Sequence, residues 1–124
     1  MELTIYKKIS VAASGSDTAE YIPTYRKMQL KEARLVADTA VTAHGSNHLV
    51  ITLVNGSTTL ATRDFSTGSG SSMAAGTAEA LTLSGGSALD FEDLGELKLN
   101  YDQSSSGMAF DGGILLVFEP ARDY

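Results

Sequence analysis

Clusters of glycine and serine recur along the whole chain, and they constrain what these 124 residues can fold into more than any other feature. SGS at 14–16, HGSN at 44–47, NGS at 55–57, TGSGSS at 67–72, SGGS at 84–87, SSSG at 104–107 and DGG at 111–113 cut the chain into short segments. Glycine costs a helix interior about 1 kcal/mol relative to alanine, and serine and asparagine favour turns. The segments between the clusters are rich in Leu, Val, Ile, Thr and Tyr. Short β-prone runs separated by turn signals predict a sandwich or a barrel.

The clearest strand is Glu96 to Asp102, ELKLNYD. Leu97, Leu99 and Tyr101 point one way, and Glu96, Lys98, Asn100 and Asp102 the other, so one face is buried and one is wet. Gly113 to Glu119, GILLVFE, is apolar on both faces and is expected to be a central strand covered on each side. Leu49 to Val54 is similar. Asn55-Gly56 after it signals a hairpin, with Thr58 to Thr62 as the return strand and Leu60 facing in. Leu3 to Val11 and Ala78 to Leu83 complete the strand candidates.

Met28 to Ala37, MQLKEARLVA, holds good helix formers and admits a short helix. Met28 and Leu30 sit on one phase of a strand, and Ala33, Leu35 and Ala37 on the other. A β-bulge near Lys31-Glu32 reconciles the halves, and the strand is preferred because a lone helix would sit among turn-punctuated strands.

A chain of this length makes one domain and buries roughly two-thirds of its unfolded surface. Fifteen acidic against nine basic residues give a net charge of −6, with the basic residues scattered. Gripping phosphate backbones needs clustered Lys and Arg, so nucleic acid is not an expected partner. There is no cysteine, which excludes disulfides and thiolate metal sites. The start, MELTIYKKIS, lacks a signal-peptide core, and the longest apolar run, Ile114 to Phe118, is far short of a membrane span. The expectation is a protein made in a cytoplasm or assembled there into something larger, with no membrane partner.

No motif identifies a chemistry. The two histidines, His44 and His48, flank Gly45, Ser46 and Asn47, which oppose the helix that would put both on one face. Extended, they would stand about 13 Å apart at 3.3 Å per residue. Zinc needs both nitrogens within about 2.1 Å of itself, so the stretch reads as a turn leading into a strand. GSGSS at 68–72 comes nearest to a nucleophile elbow or a phosphate loop. It matches neither G-x-S-x-G nor GK[ST], and the loop that holds it, TGSGSSMAAGT at 67–77, reads as a flexible excursion that could contact a partner. Asp90, Glu92, Asp93 and Glu96 lack the spacing of a calcium loop. Tyr21, Tyr25 and Tyr124 could offer a sugar-stacking platform, although the chain has no tryptophan. No enzyme activity, metal or cofactor is expected.

From Tyr21-Ile22-Pro23 onward, the order of features resembles a family. ARLVADTAVTAHGSNHLVITLVNG is followed by TTLATRDF, TAEALTLS, LKLNYDQSSSG and GGILLVFEP. This order is similar to the small β-sandwich structural proteins of tailed bacteriophages, of the capsid decoration or cement type. The resemblance covers most of residues 20–119 and carries no reactive residue. It implies an all-β, antiparallel, jelly-roll-like sandwich of about eight strands over residues 20–124, preceded by an N-terminal strand or arm over 1–19 that could add to a neighbouring subunit. It also implies a non-catalytic virion protein on the capsid exterior that stabilises the shell, assembled in the host cytoplasm. Its partners would be the major capsid protein and its own copies, as a homotrimer at three-fold sites. A tail or head-fibre component and a carbohydrate-binding module are the alternatives. The expected partner contacts are Tyr6, Lys7 and Lys8 in the arm, Tyr25 and Arg26 beyond it, and Arg122 and Tyr124 at the tail, because interfaces enrich Arg and Tyr.

Overall fold

The computed structural model describes residues 2–24, 26–92 and 94–120. Among them are nine strands: β1 Leu3–Val11, β2 Thr18–Thr24, β3 Met28–Ala37, β4 Leu49–Asn55, β5 Thr58–Asp64, β6 Glu79–Ala80, β7 Asp90–Phe91, β8 Gly95–Gln103 and β9 Phe110–Pro120. They pair from the outside inward. β1 lies on β9, β2 on β8, β3 on the short β6 and β7, and β4 on β5, always antiparallel. The chain is therefore one long two-stranded ribbon whose tip is the turn after Asn55. Rolling the ribbon also brings β9 against β3 and β8 against β4. The result is one sheet ordered β1-β9-β3-β6, with β7 also on β3, and a second ordered β2-β8-β4-β5. This is the expected antiparallel sandwich, with jelly-roll strand order.

Local chemistry explains the elements. At the ribbon tip Gly56 takes φ 62°, the positive value that a two-residue hairpin demands of its first central residue. The turn pair is Gly56-Ser57, one step later than Asn55-Gly56, because Asn55 pairs with Thr58. Asn55 is used elsewhere: its side-chain nitrogen donates to the Ala88 carbonyl at 2.8 Å, tying the tip to the short 3-10 turn Gly86–Leu89. In β3 the register slips between Leu30 and Glu32, the bulge that the two phases of MQLKEARLVA require. It puts Leu30, Ala33, Leu35 and Ala37 all into the core.

Between the sheets the core includes Ile9, Leu35, Leu49, Leu53, Leu60, Leu97, Leu99, Ile114, Leu116 and Phe118, each fully buried. The strand expected over 78–83 is shorter than its pattern suggested. Only Glu79 and Ala80 pair, while Leu81 and Leu83 pack half-buried against the core and close one side of the sandwich.

The other side is closed differently. β1 and β2 are the edge strands there, and Lys7 points inward from β1 to pair with Glu20 at 2.8 Å. Glu20 in turn accepts from the buried Tyr101 hydroxyl at 3.2 Å. Burial, followed by the nearby Glu20 charge, pushes the Tyr101 hydroxyl well above its ordinary value. Residues 3–11, expected within an arm that adds to a neighbour, pair along their whole length with β9 of their own chain. A charged side chain turned inward on an edge strand also opposes strand addition there.

Candidate functional site

The histidine stretch is a turn. Nδ1 of His44 accepts the backbone N–H groups of Ser46 at 3.0 Å and Asn47 at 2.8 Å, capping the turn from within. His48 precedes β4 directly, and its Nδ1 is buried without a hydrogen-bond partner. Among the described residues no three His, Asp or Glu side chains gather as metal ligands. Of the acidic cluster, Asp90 belongs to β7 and Glu96 to β8, while Asp93 lies outside the described residues.

The segment 67–77, expected to be a flexible excursion, is pinned instead. Arg63, only 6% exposed, spreads its guanidinium under it. Nη1 donates to the Asp64 and Ser71 carbonyls at 2.7 and 3.0 Å, Nη2 to the Ser72 carbonyl at 3.0 Å, and Nε to Glu79 at 3.2 Å. The same group lies 4.5 Å from the centroid of the Phe65 ring, which packs at a tilt against Phe110, 5.7 Å between centroids. Met73 is buried, and its backbone exchanges two hydrogen bonds with Val41 at 2.9 Å each. Burial raises the Asp64 carboxyl, but hydrogen bonds from the Ser66 backbone and hydroxyl, with the charges of His48 and Arg63, outweigh it and leave the group below its usual range.

Four glycine-serine clusters far apart in sequence meet at this end of the sandwich. The backbone N–H of Ser106 donates to the Asn47 side chain at 3.1 Å, and that of Ser104 to the His48 carbonyl at 3.0 Å. The His44 N–H donates to the Phe65 carbonyl at 3.1 Å. Gln103 donates to the Ala12 carbonyl at 3.2 Å and accepts from the Met108 N–H at 2.9 Å. Gly107, at φ 74°, runs so close to Ser14 that a Cβ would collide with its carbonyl, so only glycine fits there. The stretches 14–16, 44–47, 67–72 and 104–107 thus form one stitched surface of hydroxyls and backbone; none of the four holds an Asp, Glu, Lys or Arg, and exposed Asp17 borders them, accepting the Gln103 N–H at 2.8 Å.

A second surface lies on the outer face of the β1-β9-β3-β6 sheet. The registers place Tyr6 beside Leu115 beside Arg34, Thr4 beside Val117 beside Glu32, and Lys8 beside Gly113 beside Val36. Leu115, Val117 and Val36 are half-buried and outside the core cluster, and Tyr6 is 57% exposed. Gly113 makes the face possible, because a Cβ there would collide with the Tyr6 ring that lies over it. Ion pairs rim the patch: Lys8 with Asp38 at 2.6 Å, Arg34 with Glu32, and Lys31 with Glu119 at 3.7 Å. The hydrogen bond to Asp38 raises the Lys8 ammonium above its ordinary value. β9 is thus central, as its pattern predicts, but it is covered on one face only among the described residues.

The structure separates the expected partner contacts. Tyr6 and Lys8 share the exposed sheet face, whereas Lys7 turns inward to Glu20. Arg26 is exposed at the end away from the stitched loops, on a small cavity of about 50 Å³ with Glu2, Leu3, Met28, Phe118 and Pro120. Tyr25, Arg122 and Tyr124 lie outside the described residues. Of the tyrosines considered for sugar stacking, Tyr21 is 52% exposed on β2, with the Lys98 ammonium 5.8 Å from its ring centroid. Residue-type reasoning missed Leu115, Val117, Val36 and Arg63. The available signal was the second apolar face of GILLVFE.

No protein-family model matches the chain, and no curated protein matches it. Twelve chains of solved structures do. One, from the Gx strain of infectious bursal disease virus, has 20% identity and a TM-score of 0.42 over 100% of this chain and 33% of its own. Another, from the VP2 subviral particle of infectious bursal disease virus, has 18% identity and a TM-score of 0.42 over 95% of this chain and 32% of its own. The chain spans about a third of the length of these viral chains. Among the described residues no helix is long and apolar enough to cross a membrane.

Proposed function

We propose that the chain is a virion structural protein that decorates the outside of a capsid and stabilises the shell without catalysis. The observation that carries this reading is the stitched loop end. Loops already held by backbone hydrogen bonds and by Arg63 lose little conformational freedom on binding, so each weak polar contact contributes more net affinity. Hydroxyls and backbone groups suit adaptable hydrogen bonding to a protein surface. The jelly-roll strand order and the resemblance of the sequence pattern to phage decoration proteins support the same reading, the first by fold-level analogy.

The test is co-sedimentation of the purified protein with shells assembled from the major capsid protein of the same virus. The expected result is saturable pelleting with the shells and a higher temperature of shell disruption. Thr67→Glu, a charge placed on the exposed loop end, should weaken both while leaving the fold intact. Protein that stays in the supernatant at every concentration rejects decoration, and tail or head-fibre placement then becomes the leading reading.

A further inference from the structure

We propose that the seam between the edge strands β1 and β2 is a binding cleft for a single neutral sugar ring. The cleft is a cavity of about 300 Å³ beside the connection 12–17, and Val11, Thr18, Ala19, Glu20 and Tyr101 are among the residues that line it. That volume lies at the lower end of small-molecule sites, roughly 300–1,000 Å³, and suits one ring rather than a chain of rings.

Two neighbours hold the Glu20 carboxylate in place. The buried Tyr101 hydroxyl donates to one of its oxygens at 3.2 Å, and the Lys7 ammonium pairs with the other at 2.8 Å. Each carboxylate oxygen keeps a lone pair, and so does the Tyr101 oxygen, whose own proton goes to Glu20. The strand edges supply the donors. Asp111 accepts the Asp38 N–H, so its backbone faces β3, and the backbone of its β1 partner Ser10, which also lines the cleft, turns to the open side. Ser104 donates to the His48 carbonyl, and the same alternation turns the backbone of Ala19 on β2 away from β8. Val11 adds apolar surface for ring C–H groups.

These groups select the class of ligand. Lys7 already neutralises Glu20, so an ammonium or guanidinium ligand would have to displace it. A phosphate or a carboxylate would meet the Glu20 charge. An apolar ligand would strip water from that carboxylate and return no donor. A ring of hydroxyls donates to Glu20 and Tyr101 and accepts from the N–H groups of Ser10 and Ala19. The wall formed by the connection is preorganised, since Gln103 holds the Ala12 carbonyl and Gly107 packs against Ser14. One ring of about twelve heavy atoms at ordinary ligand efficiency binds in the millimolar range. The cleft is separate from the Tyr21 ring considered for sugar stacking, and it stands independently of what the loop end binds.

Titration of the isotope-labelled protein with glucose, galactose, mannose and N-acetylglucosamine, followed by amide NMR shifts, tests the proposal. At least one sugar should give saturable shifts centred on residues 10–20 and 99–103. Glu20→Gln keeps the size of the side chain but weakens the acceptor, and should lower the affinity roughly tenfold. Thr18→Val, at an exposed position that leaves the Lys7, Glu20 and Tyr101 contacts alone, should lower it about threefold. No saturable shift with any of the four sugars, shifts centred on Tyr21 or on the loop clusters, or an affinity that neither variant lowers would each overturn it. Saturation of the same residues by ammonium or phosphate, with the sugars silent, overturns it as well.

Discussion

The two sheets of this sandwich bury equivalent inner faces and present opposite outer ones. On the β2-β8-β4-β5 sheet the outer residues of β8 are Glu96, Lys98, Asn100 and Asp102, flanked by Tyr21 on β2 and Thr52 on β4. On the β1-β9-β3-β6 sheet the outer residues of β9 include Leu115 and Val117, flanked by Tyr6 and Val36. β8 and β9 are both central strands, each paired on both sides. The strict alternation of β8 finishes one face in water. The broken alternation of β9 leaves the other with apolar surface that water stabilises poorly. Within one fold, the side-chain period decides which face is complete.

That contrast can be broken most sharply along β9 itself. Leu116→Ala removes a fully buried side chain and should cost about 2–5 kcal/mol in urea unfolding, whereas Leu115→Ala next to it, on the half-exposed outer face, should cost less than about 1 kcal/mol. Equal costs would mean that something covers the outer face.

Arg63→Ala should rank next, at roughly 2–3 kcal/mol, because it leaves the Asp64, Ser71 and Ser72 carbonyls without their donor. Limited proteolysis should then cut within 65–78. A loop that stays resistant would show that the guanidinium does not pin it.

Gly113→Ala should cost less than about 1 kcal/mol, because the Tyr6 ring it displaces is exposed and swings aside. Adding Tyr6→Ala should recover part of that loss, and an additive pair would refute the contact. At the small end, Asn100→Ala on the wet face should change stability by no more than about 0.5 kcal/mol.

The pH dependence belongs to the second sheet and the pinned end. The Asp64 carboxyl is held below its ordinary value, so it contributes stability that is complete above the unfolded value of 3.8 and is lost as pH falls through the lower folded value. Tyr101 is raised, so its contribution is complete below 10.0 and is lost as pH rises beyond it. Asp64→Asn should flatten the acid limb of thermal unfolding against pH, and Tyr101→Phe the alkaline limb. Limbs unchanged in these variants would assign the dependence elsewhere.

Local patterns carried much of this fold on their own. The strands around Leu97, Ile51 and Leu116, the hairpin after Asn55 and the bulge in MQLKEARLVA were all legible, because alternation and turn chemistry act over a few neighbouring residues. β2 was not legible, since TAEYIPT is polar and contains a proline that only an edge strand tolerates. The role of Arg63 was hidden for a different reason: three of the four residues it hydrogen-bonds lie eight to sixteen residues away, and nothing local marks it. Sequence alone determined that β9 is apolar on both faces. Only the tertiary structure decided that one of those faces is left bare, and that four separate glycine-serine clusters share one end. Both outcomes depend on how the ribbon rolls up, a matter of long-range pairing that no short window of sequence contains.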